Sequence, residues 1–311
     1  MTTRFFRSNG KLMISGEYLV LAGAAALAMP VRYGQTLSVS ESPARGHTVL
    51  WRSLENGVEW FRADFMGATL SCSGASDPHI CSVLRKILLE AKKMNPAFLR
   101  DPACFEVRTE LDFDREWGLG SSSTLVSNIA WWAGVDPYPL LFNTLGGSGY
   151  DIACARSHTP LMYHYQGREA PPEINPVDFR PSFSENLYFV YTGRKQSSAG
   201  SLKGFFAGTV KKDDVERISA LSFEMLQCNS LQQFMALMEE HEQLTGRVIG
   251  QAPVQERGFR DFIGTVKSLG AWGGDFLFAA TALEQKDVVA YFRRMGTDLV
   301  IPFNEMIPKS V

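Results

Sequence analysis

The stretch Gly118-Leu119-Gly120-Ser121-Ser122-Ser123 combines the residue types that hold a phosphate. Glycines let the backbone approach an anion closely, and a helix start adds free N–H groups carrying roughly half a positive charge. The serines offer a helix cap, hydroxyl donors and a hard oxygen for magnesium, although a plain capped turn needs the same residues. The stretch is not a Walker loop, because no lysine follows the glycines, and it lacks the third glycine of a dinucleotide site. Two further glycine turns carry a carboxylate: Gly146-Gly147-Ser148-Gly149-Tyr150-Asp151 and Gly270-Ala271-Trp272-Gly273-Gly274-Asp275. Lys11 and Glu17 lie inside the apolar segment GKLMISGEYLVL, where a charge is costly unless it is paired or has a task.

The flanking patterns say what must position these groups. Phe105, Val107, Leu111 and Phe113 alternate with charged residues, the period of a strand with one buried face, and Leu125, Ile129 and Trp132 recur at helical spacing until Gly134. The serine loop therefore joins a strand to a helix. Strands are expected within residues 10–14, 35–65, 161–165, 187–191, 276–280 and 298–303. Helices are expected over 78–95, 212–228, 230–246, 256–268 and 285–295, with Asp151 at the start of another. The prolines around Asp136 argue for a loop there. The low-periodicity stretch from Glu169 to Pro181 is the expected boundary between domains at 1–175 and 182–311.

At 311 residues, 45% hydrophobic and 21% charged, the chain reads as a globular protein with one large or two medium cores. A net charge of −2 gives no general pull toward nucleic acid or an acidic membrane, so a small-molecule substrate is the expected partner of a monomer or homodimer. Five scattered cysteines without a C-x-x-C pair fit reduced thiols in the cytoplasm, and the five histidines form no metal-ligand cluster. The apolar run from Tyr18 to Val31 follows Arg4, Arg7 and Lys11 as in a signal peptide. Gly16 and Glu17 interrupt that pattern, and the run is too short to span a bilayer.

Taken together and in this order, the three glycine turns resemble the motifs of the GHMP kinase superfamily, which includes galactokinase, homoserine kinase, mevalonate kinase and phosphomevalonate kinase. The resemblance covers nearly the whole chain, through Gly10-Lys11-Leu12 with Gly16-Glu17-Tyr18, the Gly118–Ser123 loop, and the 270–275 turn. It implies an α/β (α+β) fold of two domains, the first similar to ribosomal protein S5 domain 2 and the second ferredoxin-like, with ATP and acceptor in the cleft between them. It also implies ATP-dependent phosphoryl transfer, with ATP phosphates on Gly118, Leu119, Gly120, Ser121, Ser122 and Ser123, and Mg2+ on Ser121. Asp151 is implied as the base that takes the acceptor hydroxyl proton, and Lys11 as the cation beside it.

The chain departs from the family pattern in two places. No glutamate lies between Ser121 and Asp151, where many of these kinases carry a magnesium ligand, and Trp272 replaces a usual glycine in the third motif. Tyr18, the Thr192-Gly193 strand end and Asp275 look most like phosphomevalonate kinases, with mevalonate kinase close behind. Glu17, Tyr18, Ser148, Gly149, Lys195, Ser197, Ser198, Gly273, Gly274 and Asp275 are the implied acceptor contacts. A diphosphomevalonate decarboxylase and a catalytically inactive nucleotide-binding protein are the alternative readings.

Overall fold

The computed structural model describes residues 3–44, 46–100, 102–193, 209–270, 272 and 275–307. The chain forms two compact units that interleave in sequence. One holds residues 1–10, 33–115 and 120–156, and the other holds 11–32, 116–119 and 157–311. The proline-rich stretch 169–181 predicts a single break instead. Two long strands run from one unit into the other: β1 (Thr3–Met13) and β2 (Ala25–Pro43).

In the first unit, β3 (Thr48–Glu55), β4 (Val58–Met66), β5 (Ser71–Ala75) and β6 (Ala103–Leu111) join the second half of β2 in the order β5-β4-β3-β6-β2. Only β3 and β6 pair in parallel in this series. On β6, Phe105, Val107 and Leu111 are buried while Glu106 and Arg108 are exposed, so the sequence alternation becomes one apolar face. That face shares a core with Leu84, Ile87 and Leu88 of α1 (Pro78–Met94) and with Val126 and Ile129 of α2 (Ser121–Ala133). Asp77 caps α1 by accepting from the N–H groups of His79 and Ile80 at 2.8 and 3.0 Å.

Residues 137–144 form helix α3 (Pro137–Thr144) rather than continuing the expected loop. Asp136 is its N-cap, accepting from Tyr138 N at 2.9 Å. The prolines fall in the first turn, where no backbone N–H is needed. Helix α4 (Tyr150–Arg156) follows the second glycine turn.

In the second unit, the first half of β2 pairs β7 (Leu161–His164), and β7 pairs β8 (Glu173–Pro176). Strand β8 thus lies within the stretch expected to be an unstructured boundary. A separate antiparallel sheet has the order β10-β11-β9-β12, from β9 (Leu187–Tyr191), β10 (Thr265–Ser268), β11 (Phe276–Ala280) and β12 (Val300–Pro302). Helices α5 (Lys212–Gln227) and α6 (Leu231–Ile249), then the single-turn α7 (Val254–Gly258), lie between β9 and β10 in sequence, and α8 (Gln285–Arg294) lies between β11 and β12. This βαββαβ order is the ferredoxin-like arrangement.

Both faces of the second sheet are covered. Phe189 and Phe278 stack at 4.9 Å on one side, and Tyr188, Val190 and Leu277 join Phe292 on the other. The expected helix over 256–268 is a correction. Its apolar spacing belongs to α7 and then to β10, separated by Gly264, whose φ of 145° and close approach to the Ala280 carbonyl leave no room for a Cβ.

Candidate active site

The strand-to-helix loop is built as the sequence demands. Gly118 and Gly120 have φ of 69° and 89°, a backbone that favours glycine, and α2 begins directly after them. The N-cap is Gly120 and no side chain caps the helix, so the cap the serines could offer is not made. Ser121, Ser122 and Ser123 occupy the first turn, with their N–H groups left to another partner. Buried hydrogen bonds fix the rest of α2 within its unit: Ser8 donates to Asn128 at 2.9 Å, Asn128 donates to the Gln35 carbonyl at 2.9 Å, and Thr124 donates to the Gln35 side chain at 3.0 Å.

Lys11 is tied to the loop twice. Its backbone N–H donates to the Leu119 carbonyl at 3.0 Å, and its ammonium donates to the Gly118 carbonyl at 3.1 Å. The side chain is nearly buried at 9% exposure, which places a positive charge directly at the glycine loop. Asp275 stands on the same glycine: a Cβ on Gly118 would lie 2.3 Å from the Asp275 Cγ. The structure thereby brings together Lys11, Gly118 and Asp275, one residue from each of the three motifs.

Tyr18 meets the third motif, and Glu17 meets β10, both in the interior. Glu17 is 1% exposed and pairs with the fully buried ammonium of Lys267. Burial pushes the Glu17 carboxyl up to about 7, against the pull of Lys267. His241 of α6, also fully buried, accepts from the Gly16 N–H through Nε2 at 2.9 Å. Burial and then Lys267 hold it well below the usual histidine range, so it is neutral. Glu242 accepts from the backbone and hydroxyl of Ser268, at 3.1 and 2.9 Å, and from Val254 N at 3.0 Å. Tyr18, at a φ of 61°, accepts from the Trp272 backbone N–H at 3.1 Å. The first-motif turn is therefore stitched to α6, β10 and the third motif.

The Trp272 departure is accommodated by a second glycine. The indole is 2% exposed, and a Cβ on Gly246 of α6 would lie 3.2 Å from its Cη2. A larger residue at 246 would compete with the ring for the same space.

Asp151 lies in the first turn of α4, behind Gly149 with a φ of 88°, and Ser148 of the same turn is 6% exposed. Lys195, Ser197, Ser198, Gly273 and Gly274 lie outside the described residues. No group of three metal-ligating His, Cys, Asp or Glu side chains occurs among the described residues, and no described helix is long and apolar enough to cross a membrane. Lys267, His241 and Glu242 were missed as functional residues. His241 follows Phe234 and Met238 at helical spacing on the buried side of α6, a signal that it faces inward.

Solved structures resemble the chain across its length. A Lin0012 protein from Listeria innocua matches with a TM-score of 0.69 at 18% identity, covering 97% of each chain. The Methanococcus jannaschii mevalonate kinase matches with a TM-score of 0.69 at 14% identity, over 96% of this chain and 97% of that one. The Streptococcus pneumoniae phosphomevalonate kinase, solved in complex with phosphomevalonate and AMPPNP, matches with a TM-score of 0.69 at 15% identity, over 95% and 98%.

The chain has the GHMP kinase fold. No family model and no curated protein matches the sequence, so the likeness is carried by the fold.

Proposed function

We propose that this protein is an ATP-dependent kinase of a small-molecule alcohol or phosphate, with phosphomevalonate or mevalonate as the acceptor. The observation that carries the reading is the Lys11 ammonium bonded to the Gly118 carbonyl, on a glycine loop that opens an uncapped helix. A triphosphate bound there gains the loop N–H groups, the serine hydroxyls and the lysine charge. The GHMP kinase fold of the phosphomevalonate and mevalonate kinases supports the acceptor class.

In this reading Asp151 accepts the acceptor hydroxyl proton, and Lys11 stabilises charge that develops on the transferring phosphoryl group. Ser121, in the first turn of α2, would offer its hydroxyl oxygen to a magnesium ion. The ion would neutralise phosphate charge during transfer. The buried Glu17–Lys267 pair holds the first-motif turn, and hence the end of the strand that carries Lys11.

The test is ADP release with magnesium and ATP against a panel of mevalonate, phosphomevalonate, homoserine and galactose. Acceptor-dependent ADP with one of the first two is expected. ATP binding by calorimetry with no turnover on any acceptor would favour the non-catalytic nucleotide-binding reading, and carbon dioxide release from diphosphomevalonate would favour the decarboxylase.

A further inference from the structure

The first unit carries two thiols that the phosphate site does not use. Cys72 lies exposed on β5, and Cys81 lies buried in the first turn of α1. The Cys81 thiol donates to Cys72 with the sulfurs 2.9 Å apart, less than an ångström beyond the ~2.05 Å of a disulfide bond.

One partner sits on an adjustable edge and the other on a fixed helix start. Strand β5 ends the sheet order and is exposed along all five residues, with an irregular register to β4 beside Cys72, so this edge has freedom to adjust. The start of α1 is fixed by the Asp77 cap. One turn further along α1, the Arg85 guanidinium donates to the Leu70 and Thr69 carbonyls at 2.8 and 2.9 Å, pinning the turn that leads into β5. Burial, with the hydrogen bond to Cys72, pushes the Cys81 thiol up to about 12, while Arg85 pulls it back. Cys81 therefore keeps its proton, and the exposed Cys72 meets a reagent first.

We propose that Cys72 and Cys81 are a site of reversible oxidation, closing into an intramolecular disulfide at the expense of a small-molecule disulfide such as oxidised glutathione. The Cys72 thiolate attacks one sulfur of the reagent and releases the first small thiol. Cys81 then loses its proton to solvent and attacks the Cys72 sulfur, expelling the second small thiol. Two protein S–H bonds are lost and one S–S bond is gained, and the two electrons and two protons end on the two small thiols. The closed loop clamps the edge strand β5 to α1.

The experiment incubates the full-length protein in glutathione buffers of graded oxidised-to-reduced ratio, blocks remaining thiols with iodoacetamide, and maps the digest by mass spectrometry. The expected product has lost two hydrogens and yields a Cys72–Cys81 cross-link that reduced glutathione reverses. The Cys81→Ser variant is expected to stop at a glutathione adduct on Cys72, and Cys104→Ser to behave as the parent does. Circular dichroism checks that each variant is folded. Recovery of both thiols alkylated, when the oxidised parent is quenched with iodoacetamide in denaturant, overturns the proposal, as does a cross-link scattered over all five cysteines.

Discussion

Replacing Lys267 by Met leaves the Glu17 carboxyl in the interior without its ammonium partner. Burial holds that carboxyl at about 7 even with Lys267 beside it, against an ordinary value of 4.5. A folded-state value above the unfolded one means that Glu17's contribution to stability is full below about 4.5 and is lost as the pH rises. In the parent the loss ends near pH 7 and amounts to about 3 kcal/mol, from 2.5 pH units at about 1.4 kcal/mol each. Without Lys267 the carboxyl rises further, so the loss continues past pH 7. The stability gap between parent and Lys267→Met is therefore expected to widen by up to about 1 kcal/mol from pH 7 to pH 8, because the half-protonated parent carboxyl gives up only the remainder of its own contribution there. His241 is neutral in the folded protein, and a free histidine is already largely neutral in this range, so it adds little to the change. Guanidinium unfolding followed by tryptophan fluorescence at the two pH values gives the gap directly. The Glu17→Gln/Lys267→Met double variant is expected to show no widening. A gap that stays constant in the single variant would refute the assignment of the buried pair.

Other perturbations read the loop and its surroundings. Gly118→Ala combines a positive φ with a Cβ 2.3 Å from the Asp275 Cγ, and it is expected to weaken ATP binding by ~10-fold or more in a calorimetric titration. Lys11→Met is expected to lower turnover by ~100-fold while circular dichroism is unchanged; a loss of fold with normal specific activity in the folded fraction would make Lys11 structural. Gly246→Ala places a Cβ 2.5 Å from the Gln251 carbonyl and 3.2 Å from the Trp272 ring. It is expected to cost about 1–3 kcal/mol in denaturant unfolding, and a neutral result would show that Trp272 repacks freely.

Much of this fold was legible because local patterns agree with it. The alternation around Val107, the helical face of α1 and the glycines at 118, 120 and 134 each specify one local structure, and the structure has them there. Legibility fails where burial removes the pattern. Residues 265–268, Thr-Val-Lys-Ser, are buried throughout although three of the four are polar, so no apolar alternation marks the strand and the sequence pattern runs a helix through it. The prolines at 137 and 139 suggest a loop around Asp136, but a helix's first turn admits them and Asp136 caps it.

The candidate site divides in the same way. Gly118, Ser121, Lys11 and Asp151 stand out because a turn or a lone charge in an apolar run is visible locally. Lys267 and His241 become notable only through Glu17 and Gly16, more than two hundred residues away in sequence. The role of Gly246 likewise depends on its distant neighbour Trp272. A single chain without its tertiary contacts carries no mark of such pairs.

The most direct test of the central claim is acceptor-dependent ADP formation by the parent protein and by Asp151→Asn, with magnesium and ATP, and phosphomevalonate and mevalonate offered in turn. The expected result is turnover of one acceptor by the parent, at least ~100-fold less by the variant, and similar ATP affinity in both. Equal turnover by the two proteins would contradict Asp151 as the base, and no phosphorylation of either acceptor by an ATP-binding parent would contradict the proposed substrate.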